Sequence, residues 1–138
     1  MALLDVNALV ALAWDSHVHH ASMRRWFSEH AASGWETCSI TESGFVRVSA
    51  NPRALPVAIG IDAALAVLRA LRDSDGHAFL SNDVSIADGD VPRISGHRQV
   101  TDALLLALAR RRALRVVTFD AGLLALGGRE SVELLNRE

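Results

Sequence analysis

Gln99-Val100-Thr101-Asp102-Ala103-Leu104-Leu105-Leu106-Ala107-Leu108-Ala109-Arg110-Arg111-Arg112-Ala113-Leu114-Arg115-Val116-Val117-Thr118-Phe119-Asp120 holds a helix, a break and a strand in succession. Val100, Ala103, Leu104, Ala107 and Leu108 recur at helical spacing and share one side of a helix over Gln99 to Arg112. Val116-Val117-Thr118-Phe119 is apolar and β-branched, reads as a buried strand, and stops at Asp120. A helix feeding directly into a buried strand is the repeating unit of an α/β sheet. Downstream, Ala121 to Leu126 is a short helix closed by Gly127-Gly128, and Val132 to Leu135 is an edge-like strand.

The same alternation runs back to the first residue. Ala2-Leu3-Leu4 is a short buried strand that ends at Asp5. Asn7 can cap a helix over Ala8 to Trp14. A second helix is expected from His17 to Ala32, with Val18, Ala21, Trp26 and Phe27 inward and Gly34 as its stop. Trp35 to Ile40 is a strand. Ser39 or Thr41 then caps a helix carrying Glu42, Phe45, Val46 and Val48, which Asn51-Pro52 ends. Ile61, Ala64, Leu65, Leu68 and Leu71 mark another helix; His77 to Leu80 is a short strand, and Asn82 to Gly96 a polar loop. Strands alternating with helices call for an α/β fold: a central parallel sheet in a three-layer α/β/α arrangement.

The chain has 138 residues, half of them hydrophobic, which suits a single domain over residues 1–138. A net charge of −2 excludes a basic coat for nucleic acid, so any RNA contact must come from local patches. Every basic side chain is Arg and none is Lys, a pattern that nucleotide-composition bias in a genome explains. The lone cysteine, Cys38, reads as a small buried hydrophobe in a reducing compartment. The N-terminus meets Asp5 at once and lacks the basic region of a signal peptide. No apolar run reaches transmembrane length, so a cytoplasmic location without membrane contact is expected.

Four acids sit where such a sheet places its ligands, beyond the carboxyl ends of the strands. Asp5 and Asp120 each follow a buried strand directly; Glu42 and Asp102 each fall in the first turn of a helix. Taken singly, such acids are capping residues or helix-dipole partners. Together, converging carboxylates repel one another unless a cation or proton compensates, and hard oxygen donors suit Mg²⁺ or Mn²⁺.

Four segments carry a family resemblance: Leu3-Leu4-Asp5-Val6-Asn7, Thr41-Glu42-Ser43-Gly44-Phe45-Val46-Arg47-Val48, Gly96-His97-Arg98-Gln99-Val100-Thr101-Asp102-Ala103-Leu104-Leu105, and Thr118-Phe119-Asp120-Ala121-Gly122-Leu123. In order and spacing the set resembles the signature segments of PIN-domain nucleases, most of all the VapC-type toxins. The resemblance implies a PIN-like fold and a Mg²⁺-dependent endoribonuclease, the toxin of a type II toxin–antitoxin pair, with a VapB-like antitoxin and a homodimer as partners. By matching position the acids are Asp5, Glu42, Asp102 and Asp120. Asp5, Asp102 and Asp120 are expected as metal ligands, with Glu42 further out or orienting the attacking water. Asn7 and Thr118 either hydrogen-bond those carboxylates or serve as a helix cap and a strand residue. Where many members carry a further acid after the last of these segments' strands, this chain has Ala121 and Gly122.

Other features admit two readings. His97 and Arg98 precede Asp102 and either touch the RNA backbone or form an ordinary surface loop. His17, His19 and His20 invite a zinc reading, but only His17 and His20 share a helix face, and a solvated helix start accounts for them. The Arg110-Arg111-Arg112 run with Arg115 complements a helix dipole or extends an RNA track. Trp14, Trp26, Phe27 and Trp35 are core or interface anchors; Trp26 and Phe27 would line a groove for an antitoxin helix if they face outward. Phe45, Val46 and Val48 suggest a dimer face. A haloacid-dehalogenase-type phosphatase needs a second Asp where Asn7 stands, and a receiver domain needs a lysine. The remaining alternative is a non-catalytic PIN fold that binds RNA or protein without cutting.

Overall fold

The computed structural model describes residues 1–136, and in them the alternation becomes five parallel strands and six α-helices. The strands are β1 (Ala2–Leu4), β2 (Trp35–Cys38), β3 (His77–Leu80), β4 (Arg115–Thr118) and β5 (Val132–Leu134). The helices are α1 (Val6–Ala13), α2 (His20–His30), α3 (Ser39–Ser49), α4 (Ile61–Arg72), α5 (Val100–Arg111) and α6 (Ala121–Gly127). The sheet order is β3-β2-β1-β4-β5, every neighbouring pair parallel. From β1 the chain first builds outward through β2 to β3, then returns to the other side of β1 for β4 and β5. The order therefore reverses between β1 and β4, the place where open parallel sheets leave a crevice. The expected three-layer α/β/α architecture is what forms.

Two cores flank the sheet. Leu4, Trp35 and Val117 point to one face and pack with residues of α1, α2, α3 and α4. Leu3, Cys38, Val116 and Val132 point to the other and pack with α5 and with Leu123 of α6. That alternation is the period-two pattern of strands buried on both faces. Cys38 is free and buried, as its apolar setting suggested. No helix among the described residues is long and apolar enough to cross a membrane.

Several local expectations shift. Asp5, not Asn7, caps α1, its Oδ1 accepting from Val6 N–H at 2.8 Å, because the strand runs straight into the helix without a spacer. The second helix starts at His20, not His17: His17 Nδ1 accepts from His19 N–H, and the His19 ring stacks on Phe119 at 4.3 Å. Val18 and Ala21 are exposed in consequence, and Met23 takes the inward position. The second strand ends at Cys38, because Thr41 Oγ1 folds back to accept from Cys38 N–H and starts the helix there. On α5 the buried arc is wider than the periodicity implied. It includes Leu105, Leu106 and Ala109, while Val100 is 41% exposed, since α6 also presses on this helix at Gly127 against Leu106.

The faces assigned to partners are used inside the monomer. Trp26 is buried, donates its indole N–H to Glu133 and stacks on His30. Phe27 packs edge-on against Trp35. A groove does lie beside α2, lined by Trp26 with Ser22, Arg25, Glu29, His30 and Glu133, but Phe27, turned to Trp35, is not part of it. Phe45 is fully buried and stacks on Trp14, and Val46 and Val48 pack partly buried against the same core, so they do not form an open dimer face. The arginine run is tied down as well: Arg110 to Ser131 and Gly127, Arg111 to Asp88 and Asp90, Arg112 to Asp83. The His17–His20 cluster has structural duties, His20 Nδ1–H donating to the Ala11 carbonyl.

Trp35 is the residue this packing leans on most. It is fully buried, touches Phe27 and His77 edge-on, and donates its indole N–H to the Asp75 carbonyl. Trp35→Ala is expected to cost about 3–5 kcal/mol, read as a lower urea midpoint at unchanged slope; a loss below about 1 kcal/mol would mean the core closes over the gap.

Candidate active site

The crevice between β1 and β4 is built from residues that end strands and begin helices. Asp5 leaves β1 and caps α1 with one oxygen; its other oxygen, Oδ2, accepts from Thr118 Oγ1 at 2.8 Å. Asp120 follows β4 and caps α6, its Oδ1 accepting from Gly122 N–H at 2.8 Å. The capping reading and the functional reading of these acids are thus compatible, because each carboxylate has two oxygens. Thr118 is fully buried and joins the two strand ends. Besides donating to Asp5, it accepts from Asn7 Nδ2–H at 3.1 Å and from Asp120 N–H at 3.0 Å. Asn7 Oδ1 in turn accepts from Phe119 N–H at 3.1 Å.

Asp102, in the first turn of α5, completes the group. It lines a cleft of about 490 Å³ between α3 and α5 together with Asp5, Ile40, Ser43, Arg47 and Leu104. Burial, and after it the charges of Asp5 and Asp120, push the Asp102 carboxyl up to about 6. Asp5 is also raised, by burial first, against the lowering hydrogen bonds from Thr118 and Val6 and with Asp120 adding to the rise. Asp102 thus feels the charges of Asp5 and Asp120, and Asp5 feels that of Asp120.

Glu42 is held elsewhere. Its Oε2 accepts from Thr37 Oγ1 at 2.6 Å and its Oε1 pairs with Arg72 at 3.4 Å. His77 Nε2–H donates to the same Thr37 oxygen at 2.7 Å; the imidazole's pKa is lowered by burial and by the Arg72 charge, which suits that neutral donor form. His97 and Arg98 sit on a 3-10 turn before α5, exposed, and do not line the cleft. Arg47 and Ser43 do line it and were missed. Their signal was present: Ile40, Ser43 and Arg47 fall on one side of α3. The Thr37–Glu42–Arg72 ties join residues far apart in the chain and left no such signal.

The donor set fits a hard divalent cation in kind: oxygen ligands, mutually repelling, with burial already opposing their charge. Among the described residues no three acidic, His or Cys side chains stand close enough to hold a metal as they are. The fit lies in charge and donor chemistry, and the carboxylates have to draw together to share an ion.

Comparison with known proteins bears on the family and the fold. The chain matches the family model described as PIN domain over residues 2–128. It is 67% identical over 126 residues to "Ribonuclease VapC38" of Mycobacterium tuberculosis, covering 91% of this chain and 89% of that protein. It is 45% identical over 137 residues to "Ribonuclease VapC39" of the same species, covering 97% and 99%. Among solved structures it resembles Mycobacterium tuberculosis VapC20, described as a Sarcin-Ricin loop cleaving toxin, with a TM-score of 0.68 at 15% identity and coverage of 99% and 100%. It also resembles VapBC2 from Rickettsia felis bound to a promoter DNA fragment, with a TM-score of 0.67 at 14% identity and coverage of 98% of each chain. At those identities the two structures attest the fold alone.

Two predictions follow from the hydrogen bonds and charges at this site. Thr118→Val strands Asp5, Asn7 and the Asp120 N–H at once and is expected to cost about 1–3 kcal/mol, with Thr118→Ser restoring most of it; equal denaturation midpoints for Val and Thr would refute the joint. The second concerns pH. A carboxyl with a folded pKa above its unfolded value holds its proton more tightly in the native state, so stability is full at low pH and falls as pH rises through about 6. Buried Glu36 carries a shift of the same sign, so the comparison must be between variants. Asp102→Asn, measured in EDTA, is expected to raise the Tm at about pH 7.5 and to leave it nearly unchanged at about pH 4. A lower Tm at both values would mark Asp102 as structural support.

Proposed function

Because the chain belongs to the PIN-domain family, in its VapC branch, we propose that it is a divalent-metal-dependent endoribonuclease and the toxin of a VapBC-like toxin–antitoxin pair. The observation that carries this reading is the gathering of Asp5, Asp102 and Asp120 at the switch point of a parallel sheet, where Asp120 acts on the other two and Asp5 on Asp102. On this reading Asp5, Asp102 and Asp120 hold Mg²⁺, for which Mn²⁺ can substitute. Bound there, the ion supplies a water of lowered pKa and positive charge against the phosphate. The chain's own part is orientation. Thr118 fixes which way Asp5 turns, and Asn7 fixes Thr118. Glu42, held by Thr37 and Arg72, stands outside that group and serves as an outer residue rather than as a direct ligand. A VapB-like antitoxin, a second copy of the chain and an RNA substrate are its partners, in the cytoplasm.

Purified protein incubated with total RNA is expected to cut at discrete sites with Mg²⁺ or Mn²⁺ and not in EDTA. Asp5→Asn and Asp102→Asn should each lower the rate by at least about 100-fold, the scale of losing one preorganised electrostatic group. A folded protein that binds RNA and never cuts it with either ion would leave the non-catalytic module as the answer. Co-expression with a VapB-like protein, where the neighbouring gene encodes one, tests the toxin half separately: absence of both co-purification and relief of toxicity would remove the pairing and leave the nuclease.

A further inference from the structure

One wall of the cleft carries a cation that nothing described neutralises. Ile40, Ser43 and Arg47 share a side of α3, and that side faces Thr101, Leu104 and Leu105 of α5 across the cleft, with Asp5 and Asp102 in the same lining. Arg47 is exposed, and among the described residues no hydrogen bond, ion pair or ring contact engages its guanidinium. Arg72, Arg111 and Arg112, by contrast, each pair with a carboxylate. Arg47 thus shares a cleft with two acids and pairs with neither. Between the charged groups the lining is apolar at Val6, Ile40, Leu104 and Leu105, with the hydroxyls of Thr41, Ser43 and Thr101 beside them.

We propose that Arg47 is a substrate-binding residue that takes a phosphate of the RNA strand flanking the scissile one, with the intervening nucleoside over that apolar lining. The proposal rests on the nuclease reading for which phosphate is scissile, but the contact itself needs no turnover. A chain with a net charge of −2 cannot gather RNA by its overall field, so affinity has to come from placed cations. A free guanidinium matches two phosphate oxygens at once. No ion pair between Arg47 and the carboxylates closes the cleft of about 490 Å³ from within.

The test is binding, in EDTA and in an Asp5→Asn background so that the RNA stays intact, using a short single-stranded oligoribonucleotide of mixed sequence titrated over a range of NaCl. Arg47→Ala is expected to weaken binding about tenfold and to make the log K against log salt slope shallower by about 0.7, the single-strand value for one phosphate contact. Arg47→Lys should restore the slope and only part of the affinity, because Lys keeps the charge and loses the fork. In the otherwise wild-type chain with Mg²⁺, Arg47→Ala should raise KM far more than it lowers kcat. Equal affinity and equal slope for Ala and Arg would overturn the proposal. So would a loss of antitoxin binding with RNA binding untouched, which would assign Arg47 to a protein partner. RNA binding that depends on Arg47 in a chain that fails to cut RNA with either Mg²⁺ or Mn²⁺ would sink the nuclease reading and leave this subsite standing.

Discussion

The hydroxyl of Thr118 has one proton to give and two lone pairs to offer, and all three are used. It donates to Asp5 and accepts from Asn7 and from the Asp120 backbone N–H, with no exposed surface of its own. A buried hydroxyl with every capacity filled is stable only in one geometry, since any shift leaves a polar group without water and without a partner. This single oxygen therefore locks the end of β4 to the end of β1 and to the first turn of α1. The parallel pairing of Leu4 with Val117 brings the two strands level, and Thr118 then decides how the acids beyond them are turned. The orientation of Asp5, the start of α6 and the position of Asp120 all depend on it.

With that joint in place, the acids do two jobs with two oxygens. Asp5 and Asp120 each spend one oxygen on a helix N-terminus, where the dipole favours a negative charge. The helix ends offset part of what burial and mutual repulsion cost, which is how the fold keeps several carboxylates at one crevice. Gly44 sets the position of the opposing wall. A methyl group there would run into the Val6 side chain, so only glycine lets α3 lie this close to α1, one residue beyond Asp5. The separation of the acids from α3 is thus decided by a missing Cβ.

How much of this was legible in the sequence depends on range. Strands such as Ala2–Leu4 and Val116–Thr118 announce themselves because burial on both faces leaves a continuous apolar run. The four acids were readable because each directly follows such a run or opens a helix. What failed was the assignment of faces and caps. Asn7 looks like a cap, but Asp5 reaches Val6 first, and Asn7 turns to Thr118 instead. Trp26, Phe27 and Phe45 could have faced inward or outward at helical spacing; the neighbours that decided it, Glu133, Trp35 and Trp14, come from other elements. The hold on Glu42 by Arg72, and of Thr37 by His77, crosses from α3 and β2 to α4 and β3, and no local pattern encodes such a meeting.

The two ends of α3 show how a nearly neutral chain can still offer a defined electrostatic path. At the first turn, Glu42 is drawn sideways by Thr37 and Arg72, which keeps a fourth negative charge from crowding the other three. Further along, toward the end of the same helix, Arg47 is left open in the cleft wall, where it also complements the helix dipole. One helix thus sorts its charges, turning its acid away and its base inward, over little more than one turn. Because the whole-molecule field is weak, this local contrast between the acidic end of the cleft and Arg47 is what a charged strand would feel on arrival. A polyanion cannot settle against Asp5, Asp102 and Asp120 alone, since those charges repel it. Divalent-ion binding would reverse the sign at that end and leave both ends of the cleft attractive. The ion would then add to the affinity that Arg47 supplies and bring competence to cut, in a cleft whose walls Thr118 and Gly44 have already positioned.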